Sequence, residues 1–188
     1  MPLLTLLLVL ATAGAYSLEL ALGGLPVCEA FGLVPAEYSR TGNLAPIFSA
    51  MLLHDPASIY HLAGNMAFLL VLGAIVERDL GGLALLFVYG LSGFAGGLLH
   101  VAVDPSSAVP LVGASGGIFG VLAVAGALRP RLMGFTVAFG VAEIWRALTG
   151  SVEGVSFACH LGGLAAGASL AIVLRAAGAE AFTIEEAS

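Results

Sequence analysis

Four polar residues stand in stretches that are otherwise almost wholly apolar: His61, Asn65, Ser115 and His160. A polar side chain within a membrane segment costs free energy, so each one asks for a reason. His61 and Asn65 are four residues apart and share one face of a helix. Ser115 lies in Gly113-Ala-Ser-Gly-Gly-Ile-Phe-Gly120, and His160 in Cys159-His-Leu-Gly-Gly-Leu-Ala-Ala-Gly167. The chemistry that a serine and a histidine can do together is nucleophilic acyl transfer. A serine hydroxyl is a weak nucleophile until a base within hydrogen-bond reach takes its proton, and an imidazole is the usual base. Attack on a carbonyl puts negative charge on oxygen, which needs donors already aimed at it. The Asn65 amide, the His61 imidazole and the Ser115 backbone N–H are candidate donors. A helix starting at Ser115 adds partial positive charge there.

Each residue alone has a plainer explanation. A serine among glycines serves helix packing, a lone histidine bonds a carbonyl or relays a proton, and a His/Asn pair joins two helices. Their coincidence at one depth is what favours chemistry, and that depth follows from the elements that carry them.

With 60% hydrophobic and 10% charged residues, the 188-residue chain cannot cover a water-soluble surface of its size. A helix needs roughly 20 apolar residues to cross the hydrocarbon. Six segments meet or approach that length: 3–22, 58–76, 83–103, 113–128, 131–148 and 157–177. The expected fold is therefore all-α, a polytopic bundle of six transmembrane helices in a single membrane domain over 1–188, with a short polar tail at 178–188. The first segment lacks a positive n-region and reads as a retained span rather than a cleaved signal. The long connection 23–57 holds four prolines and several charges beside apolar runs such as Ala45–Leu53, which predicts short amphipathic helices at the interface. Glu143 and Arg146, three apart, are expected to pair near the interface end of the fifth span. Spans two, four and six run the same way, so His61, Asn65, Ser115 and His160 fall within a turn or two of one membrane face.

Of the six arginines, Arg78, Arg129, Arg131 and Arg175 lie on the side of both termini, against Arg40 and Arg146 on the other. This bias predicts cytoplasmic termini and an outer first loop. Without lysine or a basic cluster, the sequence does not suit nucleic acid. Cys28 and Cys159 have neither disulfide-framework nor metal-ligand spacing and read as small buried residues. His54 and His100 are expected at the interface without a chemical role. Small-xxx-small pairs at Gly93/Gly97, Gly116/Gly120 and Gly163/Gly167 predict close helix contacts.

These pieces resemble the rhomboid family of intramembrane serine proteases over about residues 45–175. His61-Leu-Ala-Gly-Asn65 matches the family's HxxxN, Gly113-Ala-Ser115-Gly116 its GxSG, and His160 to Gly167 its HxxGxxxG, with Gly163 and Gly167 as the glycines. Glu77-Arg-Asp-Leu-Gly81 resembles its short turn after the second span. The resemblance implies a Ser–His dyad without a third acidic member, Ser115 as nucleophile and His160 as general base. It implies an oxyanion hole from His61, Asn65 and the Ser115 N–H, with no metal or organic cofactor. Implied substrates are single-pass transmembrane proteins in the lipid bilayer, cut near the outer membrane face; the implied gate is about 131–156. The length and span count resemble the minimal prokaryotic form and are compatible with the rhombosortase-like subgroup, with a cell (plasma or inner) membrane location. Two departures are plain: the family's first-loop Trp–Arg pair is absent there, Trp145-Arg146 lying in the fifth span, and Cys159 stands where alanine usually precedes the last histidine. Rival readings are a catalytically silent, client-binding rhomboid-like protein and a small proton-relaying transporter.

Overall fold

The structure, a computed structural model, describes residues 2–149 and 156–177. The 178–188 tail and the last part of the expected gate, 150–155, lie outside the described residues. Among the described residues every regular element is helical: α1 (Leu3–Ala21), α2 (Leu25–Phe31), α3 (Pro35–Thr41), α4 (Ala45–Ala50), α5 (Ile59–Leu80), α6 (Gly82–Val103), α7 (Ser115–Leu128), α8 (Pro130–Thr149) and α9 (Phe157–Ala176). Helix α5 includes a π-helical turn at Leu69–Gly73. Helices α1, α5, α6, α8 and α9 are long and apolar enough to span a membrane, and α7 is a shorter apolar helix. The six expected segments are these six helices, and the protein is a multi-pass membrane protein.

Helix α7 is the axis of the bundle. It is apolar on all sides, as a helix enclosed by others must be, and its residues from Gly116 to Gly126 are buried. Its 14 residues rise about 21 Å, well short of the roughly 30 Å of hydrocarbon. Beyond its C-terminal end, Arg129 pairs with Asp79 of α5 at 2.8 Å. Ser115, at the other end, is half-buried.

Two glycine contacts set α9 against α7. A Cβ on Gly163 would collide with the Gly116 carbonyl oxygen, and one on Gly167 with that of Gly120. The expected pairs Gly116/Gly120 and Gly163/Gly167 thus face each other, letting the backbones that carry Ser115 and His160 touch. Gly93 and Gly97 face Met51 and Ile47 of the first loop region instead. At the end of the bundle away from Ser115, Glu77 caps α1: its carboxylate accepts from the Leu4 N–H (2.9 Å), the Thr5 N–H (2.7 Å) and the Thr5 hydroxyl (2.6 Å). This satisfies donors that a helix start leaves free.

The long connection folds into α2, α3 and α4, each with proline in its first turn, where the missing N–H costs nothing. Cys28, Ile47 and Ala50 are buried while Leu25, Phe31 and Phe48 are exposed, the amphipathic pattern the sequence predicts. Leu33 and Leu111 exchange backbone hydrogen bonds of 3.1 and 2.9 Å, and the Gly113 N–H donates to the Ala50 carbonyl at 2.9 Å. The first loop region thereby clamps the segment that leads into Ser115.

Candidate active site

Ser115 is the first residue of α7 and His160 the fourth of α9. The Ser115 Oγ lies 2.8 Å from His160 Nε2. Just before it, Gly113 has φ +126°, a conformation side chains rarely adopt, and a Cβ there would stand 2.9 Å from His61 Nε2. The chain can thus pass directly beside His61 on its way to the serine.

The start of α9 is held by Ser156, whose hydroxyl accepts from the Cys159 N–H at 3.1 Å, as an N-cap does. The same oxygen lies 2.8 Å from His100 Nδ1. The imidazole of His160 stacks on Phe119, with centroids 4.3 Å apart and planes 10° from parallel. Its Nδ1 lies 2.9 Å from Glu143 Oε2 on α8, and Glu143 Oε1 lies 2.9 Å from Arg146 Nη1. The Glu143/Arg146 pair expected from spacing is present, but it occupies only one carboxylate oxygen; the other meets His160. The resemblance implied no acidic partner there, and the geometry differs on that point.

Hydrogen-bond roles follow from the partners. An ionised carboxylate only accepts, so the His160 proton sits on Nδ1 and the Nε2 lone pair faces the serine hydroxyl. The Asp55 N–H approaches His61 Nδ1 at 3.3 Å, so a neutral His61 carries its proton on Nε2 and presents a donor beside Gly113. Asn65 is buried, and its amide Nδ2 has no hydrogen-bond partner among the described residues. A buried donor without a partner is costly, which suits a group waiting for an acceptor. His61, Asn65, Phe119, Glu143, Ser115 and His160 all line one cavity of about 860 Å³. The four residues singled out by sequence therefore meet, and Gly113, Gly116, Gly163 and Gly167 make the approach possible. The arrangement sets a hydroxyl against a ring-nitrogen lone pair, with an unclaimed amide donor on the same cavity, which is the geometry that acyl transfer would use.

Other expectations need adjustment. Cys28 and Cys159 are buried free thiols, as expected. Cys28 meets an unexpected partner, Glu19 of α1, whose Oε1 accepts from the thiol at 3.1 Å and whose Oε2 accepts from the His54 N–H at 3.1 Å. Burial, with the Glu19 carboxylate beside it, pushes the Cys28 thiol up to about 12. His54, expected without a chemical role, is fully buried, its ring 5.0 Å from that of His61. His100 braces the cap of α9 through its contact with Ser156. An acid in the first span was the available signal for Glu19, and the four-residue step from Ser115 was the signal for Phe119.

The class these features define is a polytopic helical membrane protein with a serine and a histidine in contact at the starts of two of its helices. The family model of the rhomboid domain matches residues 41–177. The chain belongs to the rhomboid family, whose members are generally serine-type intramembrane proteases acting on transmembrane substrates in the bilayer. It is similar to three Arabidopsis thaliana proteins. It is 29% identical to RHOMBOID-like protein 5 over 98 residues, 52% of this chain and 31% of that protein. It is 33% identical to RHOMBOID-like protein 1 over 87 residues, 46% of this chain and 21% of that one. With RHOMBOID-like protein 4 the identity is 31% over 137 residues, 68% of this chain and 33% of the relative. The matched region spans a third or less of the length of these relatives.

Proposed function

We propose that the protein is an intramembrane serine endopeptidase that cleaves transmembrane-helix substrates near the membrane face on which its cavity opens. The observation that carries this reading is the 2.8 Å contact of Ser115 Oγ with His160 Nε2, below a cavity into which the Asn65 amide brings an unclaimed donor. In the first step the hydroxyl proton passes to His160 Nε2 while Oγ bonds the peptide carbonyl carbon and the carbonyl π pair moves onto oxygen. The Asn65 amide, the His61 Nε2–H and the Ser115 backbone N–H stabilise that oxyanion, helped by the N-terminus of α7. As the tetrahedral species collapses, the C–N bond breaks and Nε2 returns the proton to the leaving nitrogen. Water, activated by the same imidazole, then releases the acyl group and restores Ser115.

The arginine asymmetry supports cytoplasmic termini in a cell membrane, and hence a cavity open to the outer side. On this reading 1–188 is one membrane domain and its substrates are single-pass membrane proteins. The test is reaction of the detergent-solubilised protein with a fluorophosphonate probe, together with cleavage of a single-span substrate in proteoliposomes. Wild type should label and cleave, and Ser115→Ala should do neither. Equal behaviour of the two proteins sinks the assignment and returns the chain to the silent, client-binding alternative.

A further inference from the structure

Helix α8 buries little of itself: Thr136, Gly140 and Glu143 are its buried residues. These are spaced i, i+4 and i+7, one stripe facing the bundle. A carboxylate in that stripe is expensive unless it is paired and hydrogen-bonded. Glu143 is 2% exposed and divides its two oxygens between Arg146 and His160, at 2.9 Å each. Arg146, whose side chain is 46% exposed, supplies the counter-charge from the cavity edge. Arg146 alone accounts for a pair near the membrane interface; it does not account for a second oxygen aimed at the ring nitrogen opposite the serine.

We propose that Glu143 is a positioning residue that holds the His160 imidazole in the tautomer and plane needed to take the Ser115 proton, making the site a Ser115–His160–Glu143 triad. This rests on the protease reading above. A neutral imidazole can carry its proton on either nitrogen, and only the Nδ1–H form offers a lone pair to the hydroxyl. The Glu143 carboxylate selects that form. When Nε2 takes the serine proton, the Nδ1–H···carboxylate contact becomes a charge-assisted hydrogen bond, stronger than its neutral counterpart. Glu143 itself stays unprotonated throughout, and the proton shuttles only between Ser115 Oγ, His160 Nε2 and the leaving nitrogen. Serine and histidine ride on α7 and α9, which are locked by glycine contacts, whereas the orienting acid comes from the shallowly anchored α8. The triad is complete only while α8 is docked.

The decisive measurement is ¹⁵N NMR of histidine-labelled full-length protein in micelles, with the His160 signals identified by their loss in His160→Ala. Wild type should show Nδ1–H; Glu143→Gln should show mixed tautomers. The same variant should lose about 10²–10⁴-fold in kcat with little change in KM, and Glu143→Asp should recover part of that loss. An Nε2–H tautomer in wild type overturns the triad without recourse to any variant, so a misfolded Glu143→Gln cannot rescue it. Wild-type kcat in Glu143→Gln beside a dead Ser115→Ala overturns it too, leaving a two-residue site. If Ser115→Ala cleaves like wild type, the protease reading fails instead, while the tautomer still decides whether Glu143 orients the ring.

Discussion

Phe119 lies under the His160 imidazole, ring centroids 4.3 Å apart and nearly parallel. Because Phe119 is four residues after Ser115, the serine and this platform sit on one face of α7, a turn apart. On the proposed mechanism the platform fixes the plane of the base, and its π face favours the imidazolium that forms when the serine gives up its proton. Contacts of a cation with an aromatic face contribute about 0.5–2 kcal/mol. Phe119→Leu keeps most of the volume and loses the π face, so kcat/KM should fall by roughly 2–30-fold. A steady-state comparison in micelles checks this, and an unchanged kcat/KM would show that the stacking is packing alone.

Asn65 offers a cleaner separation of binding from chemistry. Its buried amide Nδ2 has no hydrogen-bond partner among the described residues, so removing it breaks no hydrogen bond that this nitrogen makes in the resting protein. Asn65→Ala should leave folding and substrate KM near wild type and lower kcat by about 10²–10³-fold, the usual loss for one oxyanion donor. A matched rise in KM with kcat intact would instead make Asn65 a substrate-binding group.

Much of this site was legible from residue types and helix counting, for a physical reason. Polar residues in lipid are costly enough to be informative, and a six-helix count places His61, Asn65, Ser115 and His160 at one depth. The shape of the first loop was legible only as interfacial, since its pinning through Leu33–Leu111 and Gly113–Ala50 uses backbone groups that every residue has. Glu143 was visible only as the partner of Arg146. Its neighbour Arg146 already explained its presence, and a local partner conceals a distant one. Depth alone pointed further: Glu143 lies six residues before the end of α8 and His160 three after the start of α9, close to the same face. Glu19 was hidden within an apolar first segment, where a single acid barely alters the hydropathy.

The glycine contacts between α7 and α9 predict opposite outcomes for one chemical change. A methyl at Gly163 meets the Gly116 carbonyl, whereas a methyl at Gly90 of α6 meets nothing within 4 Å. Overpacking a tight contact costs about 1–3 kcal/mol, while alanine in place of a helical glycine gains roughly 0.5–1 kcal/mol. Thermal unfolding in detergent should therefore show Gly163→Ala below wild type and Gly90→Ala at or above it. Equal melting of the two variants would mean that the α7–α9 backbone contact is not tight.

Buried His54 predicts how the fold responds to acid. Burial, assisted by the neighbouring His61 and partly offset by the Leu52 carbonyl, lowers its pKa from an ordinary 6.5 to about 4. In the unfolded chain the ring protonates near its ordinary value, so between about pH 6.5 and 4 the unfolded state binds the extra proton and stability falls as pH falls. The contribution is fully present above that window and amounts to no more than about 3 kcal/mol across it. Glu19, Asp55 and His61 lie nearby, so the effect must be isolated by difference. His54→Leu keeps the backbone N–H that Glu19 accepts from and removes the titrating ring. Between pH 7 and pH 5, the melting temperature should fall further in wild type than in His54→Leu; parallel losses would show that the acid sensitivity comes from the other groups.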